Sequence, residues 1–331
     1  MRIKCSKFLS GIVVAFICFT TCFSQPDSTN NEAAACLRLI YNCAFDSARL
    51  HYSNFPSTSS DTKNLLELFA MRWENIPMAN NPKKEIYLNA LTALVNNFKE
   101  GEDITEGNLF LHITSQLLLS EYYYTNGEAG KALWQGKSAY PLIMKVLDEN
   151  KKEPELLFVR AMYLYYMDFF RNKSFMYRAA LFPLRDGDME LGLKLLQEAA
   201  NTQSLAQTEA LIYTAHILLH FEKKPEQALP YSKKLAEKYP ANLKFRELLI
   251  DNLIALKYFY EADAELGKQL ETKSAYFKIP ALYFAGCLEI EFRKNKEQAT
   301  KLFQHCIDLS LETGLLEDYQ LKAKEQLKSL E

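Results

Sequence analysis

The chain has 331 residues with 39 basic and 41 acidic side chains, which gives a net charge of −2. Both signs are interspersed, and this excludes the concentrated basic face of a nucleic-acid-binding protein. Glycine and proline occur only 11 times each. Leucine, alanine, lysine, glutamate and aromatic residues dominate without strand patterns, so the composition predicts an all-α protein.

Residues 1–24 predict a secretory signal peptide, with a basic start, an apolar run from Phe8 to Phe19, and Ser24 before a polar stretch. The apolar run is shorter than the roughly 17–25 residues of a membrane-spanning helix. Its end resembles type I signals of Gram-negative bacteria, which implies a periplasmic, cell-surface or secreted mature protein without a stable membrane span. We expect cleavage after Ser24, and a lipoprotein acylated at Cys22 is the second interpretation.

The N-terminal block, residues 32–100, follows a segment at 25–31 that we expect to be flexible. Amphipathic patterns in this block predict four helices, with Asp46 and Asp61 as candidate caps. The predicted helices are 32–41, 46–54, 61–77 and 82–99. A loop is expected at 101–105.

The middle block, residues 106–200, contains a helix pair joined by the turn Asn126-Gly127. From Pro154 the sequence is rich in tyrosine and phenylalanine, and a helix that is apolar nearly all round is expected to be buried on several sides. The alternative for residues 158–182 is a pocket for an apolar or sugar-like ligand. Within this helix Asp168 and Arg171 have the i, i+3 spacing of a local ion pair. A further helix, 190–200, follows Asp188 as its cap.

The clearest regularity lies in residues 208–310. Two amphipathic helices span 209–240, where proline suits the first position of the second helix and Pro240 ends it. Small residues recur at Ala228, at Ala262 after 34 residues, and at Ala299 after a slightly longer step. With these features the chain resembles the tetratricopeptide repeat family, a helix-turn-helix repeat of 34 residues.

This resemblance implies an α-solenoid of stacked antiparallel helix pairs with a right-handed superhelical twist over residues 32–331, closed by a polar cap helix at 315–330. In the family, ligands bind along the concave face formed by the first helix of each pair. Carried over to this sequence, that implies eight candidate partner-binding residues: Glu121, Tyr124, Tyr213, His220, Glu247, Asp251, Phe284 and Glu291.

Few residue patterns indicate chemistry. His216 and His220 have the i, i+4 spacing of metal ligands, but no third ligand and no adjacent glutamate accompany them, so we expect no metal. No phosphate-binding glycine loop or nucleophile motif occurs, and we expect neither a cofactor nor catalysis. Cys287 and Cys306 lie on opposite helices of one predicted repeat, and a disulfide between them stays an alternative to two buried thiols.

The sequence therefore predicts an exported, non-catalytic scaffold that binds a protein or peptide partner of unknown identity along its concave face. The first alternative is a small-molecule binder that uses the aromatic segment. The second is a helical enzyme, which would require carboxylates or histidines that converge in one cleft with perturbed pKa values.

Overall fold

The computed structural model describes residues 28–55, 60–78, 81–97, 106–149, 153–173 and 175–330. These residues form sixteen helices and no strand, which confirms the all-α prediction for the described part of the chain. The first nine helices are α1 (Ser28–Tyr41), α2 (Phe45–Ser53), α3 (Ser60–Glu74), α4 (Lys84–Asn97), α5 (Glu106–Thr125), α6 (Ala129–Asp148), α7 (Pro154–Lys173), α8 (Phe175–Leu181) and α9 (Met189–Asn201). The others are α10 (Gln207–His216), α11 (Pro225–Lys238), α12 (Leu243–Ala255), α13 (Phe259–Leu270), α14 (Ala275–Glu291), α15 (Lys296–Thr313) and α16 (Glu317–Leu330).

The predicted signal peptide lies outside the described residues, as does the loop expected at 101–105. Helix α1 begins at Ser28, so the last part of the segment expected to be flexible is helical. Asp46 is not a cap, because α2 begins at Phe45 and has no side-chain cap. Helix α3 begins at Ser60 and thus contains Asp61, which was also expected to be a cap. Within the described ranges, no helix is long and apolar enough to cross a bilayer.

The chain divides into two compact units, residues 1–214 and 215–331. In unit 1 each helix from α1 to α7 contacts the next one along the chain, and α9 packs on α7. In addition, α1 contacts α3 and α3 contacts α5. The aromatic helix α7 is the centre of this unit because its rings are buried and contact one another. Tyr165 stacks on Phe169 at 6.0 Å between ring centroids, and Tyr166 stacks on Phe170 at 5.9 Å.

Helix α9 packs on α7 at a crossing that only glycine permits. A Cβ atom on Gly192 would lie 2.8 Å from Tyr165 Cα and 2.9 Å from the Ala161 carbonyl oxygen. As predicted, Asp188 caps α9, where its Oδ1 accepts a hydrogen bond from the Leu191 N–H at 2.9 Å. The backbones of α7 and α9 are therefore in direct contact.

The prediction of an ion pair between Asp168 and Arg171 is wrong. The Asp168 carboxylate instead accepts from the Met189 N–H at 3.0 Å, where it caps the start of α9 from outside. Arg171 pairs with Asp186 and donates to the Leu181 carbonyl at 2.8 Å. Backbone groups left unpaired at helix ends and in the turn after α8 compete successfully for both side chains.

Unit 2 is built from successive helix hairpins. Consecutive helices contact each other from α11 to α16, and α14 also contacts both α12 and α16. Pro225 is the first residue of α11, as predicted, and the Asn242 side chain caps α12. The three alanines of the predicted repeat, Ala228, Ala262 and Ala299, are fully buried. This agrees with small residues at helix crossings.

Unit 2 contains a π turn that the sequence did not predict, and it lacks the disulfide that was one of two alternatives for its cysteines. Helix α10 continues into a π turn at Ile217–Phe221, a feature for which the sequence offered no signal. Cys287 and Cys306 are buried free thiols, and the Cys306 thiol donates to the Ile279 carbonyl at 3.4 Å. The disulfide alternative is therefore not realised in this structure.

Candidate functional site

Polar and aromatic side chains from four segments of unit 2 meet in one place. Helices α12 and α16 each contribute two residues, at i, i+4 and i, i+3 spacing, which places each pair on one face of its helix. The π turn and α14 contribute one residue each. We call this set the polar cluster, and it consists of His220, Glu247, Asp251, Tyr283, Tyr319 and Lys322.

Glu247 is the most buried charged residue of the polar cluster, with 6% of its surface exposed. Its Oε1 accepts from Lys244 Nζ at 2.8 Å and from the Tyr319 hydroxyl at 2.9 Å. Its Oε2 is buried and has no hydrogen-bond partner. A buried carboxylate normally satisfies both oxygens, so Oε2 is an unsatisfied acceptor inside this site.

Lys244 completes this arrangement from the first turn of α12. Burial is the largest single influence and lowers the pKa of its ammonium, but Glu247, Tyr276 and Asp318 together outweigh burial and raise the pKa. The ammonium also lies over the Tyr276 ring, 5.2 Å from its centroid. Lys244 is therefore charged at neutral pH and is held between a carboxylate and an aromatic face.

Asp251 lies one helical turn from Glu247 and faces the π turn. Its Oδ2 is 3.4 Å from His220 Nε2. Burial raises the pKa of Asp251 to about 6, and burial lowers the pKa of His220 to about 4. At neutral pH the pair is thus a carboxylate beside a neutral imidazole, not an ion pair.

The His216 ring lies 4.5 Å from the His220 ring between centroids and is tilted by 55° to it, and burial lowers the pKa of His216 to about 3. Across the described residues no group of three or more histidine, cysteine, aspartate or glutamate side chains is placed to hold a metal ion.

Helices α14 and α16 contribute the aromatic side of the polar cluster. The Tyr283 and Tyr319 rings meet edge to face at 5.5 Å, and Lys322 Nζ lies 4.5 Å from the Tyr319 centroid. Tyr283 also hydrogen-bonds Cys287, whose thiol pKa is raised to about 12 by burial. The Cys287 thiol therefore stays protonated at neutral pH and is a poor nucleophile.

The structure distributes the eight predicted residues over both units. In unit 2 it brings together His220, Glu247 and Asp251. Phe284 is buried with 2% exposure and packs edge to face on Tyr319, whereas Glu291 is exposed at the end of α14.

The other three predicted residues belong to unit 1. Glu121 forms an ion pair with Arg72 at 2.8 Å, and Tyr124 is half-buried. Tyr213 is buried against the α7 aromatics, with its ring 6.0 Å from that of Phe158.

Sequence reasoning missed Tyr319 and Lys322 because α16 was expected to be a cap with a solvated outer face. Their i, i+3 spacing beside an apolar stripe was the available signal for an inward polar face. Lys244 was missed because a lysine two residues after a helix cap is ordinarily solvated.

No family model matches the chain, and no curated protein matches it.

Proposed function

We propose that the protein is an exported, non-catalytic, tetratricopeptide-like scaffold that binds a protein or peptide partner along the face of its first helices. One observation carries the proposal: the π turn, α12, α14 and α16 supply one shared polar cluster. In the hairpin order of unit 2 these segments are the first members of successive pairs. The buried alanines and the contacts of α14 with α12 and α16 are what stacked repeats require.

The partly exposed carboxylate of Asp251 suggests which part of a partner is recognised. It has the neutral His220 imidazole 3.4 Å away, and the nearby Lys322 charge acts on it as well. A segment that supplies backbone N–H groups or a cationic side chain would give Asp251 a donor, whereas Glu247 Oε2 is buried beneath it. The edges of Tyr283 and Tyr319 would contact its apolar atoms, as aromatic anchors do in many interfaces.

A helical enzyme is the second candidate, because perturbed groups do converge in the polar cluster. Asp251, with a pKa of about 6, has the value of a general base near neutral pH. Burial holds the neighbouring Cys287 thiol protonated, so this reading would require a water molecule as the nucleophile that Asp251 activates. The aromatic-pocket alternative gains no support from α7, since its rings fill the core of unit 1.

Site-specific photo-crosslinking tests the scaffold proposal. The crosslinker is placed at the exposed first-helix positions Glu291 and Lys322, and control crosslinkers are placed at the exposed second-helix positions Lys233 and Lys301. We expect a discrete adduct from the first-helix positions only, and Asp251→Lys should abolish it. Adducts of equal yield from the second-helix positions would refute binding along the first helices.

A further inference from the structure

Helix α8 of unit 1 exposes an apolar face that the fold does not use. Its inward side is formed by Tyr177 and Leu181, four residues apart, which are 7% and 4% exposed. On the opposite side Phe175 and Phe182 are each 82% exposed, and Arg178 lies between them at i+3. Large apolar side chains therefore lie on both the buried and the exposed face of this helix.

The segment around α8 is strongly basic. No acidic residue occurs between Asp168 and Asp186, whereas Arg171, Lys173, Arg178 and Arg185 all fall in this stretch. Lys173 and Arg178 are exposed. The Lys173 ammonium lies over the Phe169 and Phe170 rings at the end of α7, at 5.6 and 5.7 Å from their centroids.

The other two arginines, Arg171 and Arg185, attach the segment to neighbouring residues of unit 1. Arg171 pairs with Asp186 and donates to the Leu181 carbonyl at the end of α8. Arg185 pairs with Asp148 of α6, and its backbone N–H donates to the Tyr140 hydroxyl at 3.0 Å. These contacts within unit 1 therefore fix the position of α8 while its outer face stays exposed.

We propose that α8 and Phe182 dock onto an anionic lipid surface. A short helix with phenylalanine on its outer face and basic residues beside it can lie in the plane of a membrane interface, with rings among the acyl chains and cations at the headgroups. This is peripheral docking and requires no membrane-spanning helix. It adds to the proposed scaffold function and does not depend on the polar cluster.

The size of the face favours a lipid surface over a protein partner. Two phenylalanines offer about 150–250 Å² each, whereas a stable protein interface buries roughly 800 Å² on each partner. Interfacial anchoring needs only a few inserted rings together with nearby positive charge.

The test is sedimentation with vesicles of phosphatidylcholine alone and of phosphatidylcholine mixed with phosphatidylglycerol. The full chain is used as it accumulates in an exporting bacterial host. We expect preferential binding to the anionic vesicles, about tenfold weaker after Phe175→Ser with Phe182→Ser, since each ring loses its burial in the interface. Arg178→Ala should weaken binding about fivefold, and added salt should reduce that difference.

A matched control removes two exposed apolar side chains elsewhere in unit 1. Leu50 and Ile86 are 71% and 62% exposed on α2 and α4, and Leu50→Ser with Ile86→Ser should bind like the parent. Equal vesicle binding by this control and by the double phenylalanine variant would overturn the proposal.

Hydrogen exchange supplies a readout confined to α8. Amides of residues 175–182 should exchange more slowly with anionic vesicles than with neutral ones, whatever other segment of the chain also touches lipid. Protection of these amides by lipid-free envelope extract, with none from vesicles, would indicate a protein partner and would also overturn the proposal.

Discussion

Asp251 shows how a single buried carboxylate makes the stability of unit 2 depend on pH. Its pKa of about 6 in the folded chain lies above its ordinary value, so the folded state binds the proton more tightly than the unfolded state does. The desolvation penalty is thus fully present above pH 6 and is relieved as the pH falls toward 4. The two histidines have the opposite sign, because a lowered pKa disfavours folding as the pH falls below about 6.5.

We predict that Asp251→Asn stabilises the protein at pH 7 but not at pH 4. The amide removes the desolvated charge, and the expected gain in the free energy of unfolding at pH 7 is about 2 kcal/mol, reduced for the partial exposure of the side chain. Urea unfolding at both pH values measures it. An equal effect of the substitution at pH 7 and pH 4 would contradict the assignment of the raised pKa to burial of Asp251.

Tyr319→Phe tests the centre of the polar cluster. Loss of the hydroxyl leaves the buried Glu247 carboxylate with Lys244 as its donor, and a hydrogen bond to a charged group contributes about 1.5–3 kcal/mol. We therefore expect a loss of this size in the free energy of unfolding. Tyr260→Phe is the control, because Tyr260 is 79% exposed on α13 and its hydroxyl should contribute less than about 0.5 kcal/mol.

At the scale of helices, backbone contact at one crossing fixes the packing of α9 on α7. Gly192→Ala would place a methyl group against the Tyr165 backbone, which no side-chain rotation can relieve. We expect a loss of about 1–3 kcal/mol or more in the free energy of unfolding. Thermal unfolding followed by circular dichroism measures the change.

Gly267→Ala is the matched control on α13, where a Cβ atom would have nothing within 4 Å. There alanine should stabilise the helix by about 0.5–1 kcal/mol, because glycine is a poor helix former. If both glycine variants changed stability in the same direction, close packing of α9 on α7 would not be the cause.

Two helix starts could be predicted from single residues. Pro225 starts α11 and Asp188 caps α9, and each does so through groups visible in the sequence. The partners of Asp168 and Arg171 could not be predicted, because both side chains bind backbone groups brought close only by the tertiary fold. Half of the polar cluster was predicted. The carboxylates of α12 were predicted from their positions in the expected repeat, but the contacts of the tyrosines on α14 and α16 depend on how the helices cross.

At the scale of the whole chain, the predicted export can be tested by the mass of the mature protein. Export with cleavage after Ser24 would leave a protein that begins at Gln25 and keeps four of the seven cysteines. We predict this N-terminus, found by mass spectrometry of protein recovered from the periplasm of an exporting host. A diacylated Cys22 at the N-terminus would instead establish the lipoprotein interpretation.

The number of reactive thiols tests whether the cysteines of the mature protein are free. Cys36, Cys43, Cys287 and Cys306 are free, and all but Cys43 are buried. We expect rapid modification of one thiol in the native mature protein and of four after denaturation without a reductant. Two fewer thiols after denaturation would show that a disulfide forms outside the cytoplasm.

The π turn at Ile217–Phe221 has a consequence for how this segment tolerates changes in length. A π turn holds about one residue more than an α-helical turn of the same rise. Deleting Ile217, Leu218 or Leu219 would remove the extra residue, let the segment close as ordinary α-helix and keep the residues after it in phase. The contact of His220 with Asp251 would therefore survive this deletion, whereas deletion of one residue inside a regular helix such as α12 would rotate the side chains after it by about 100°.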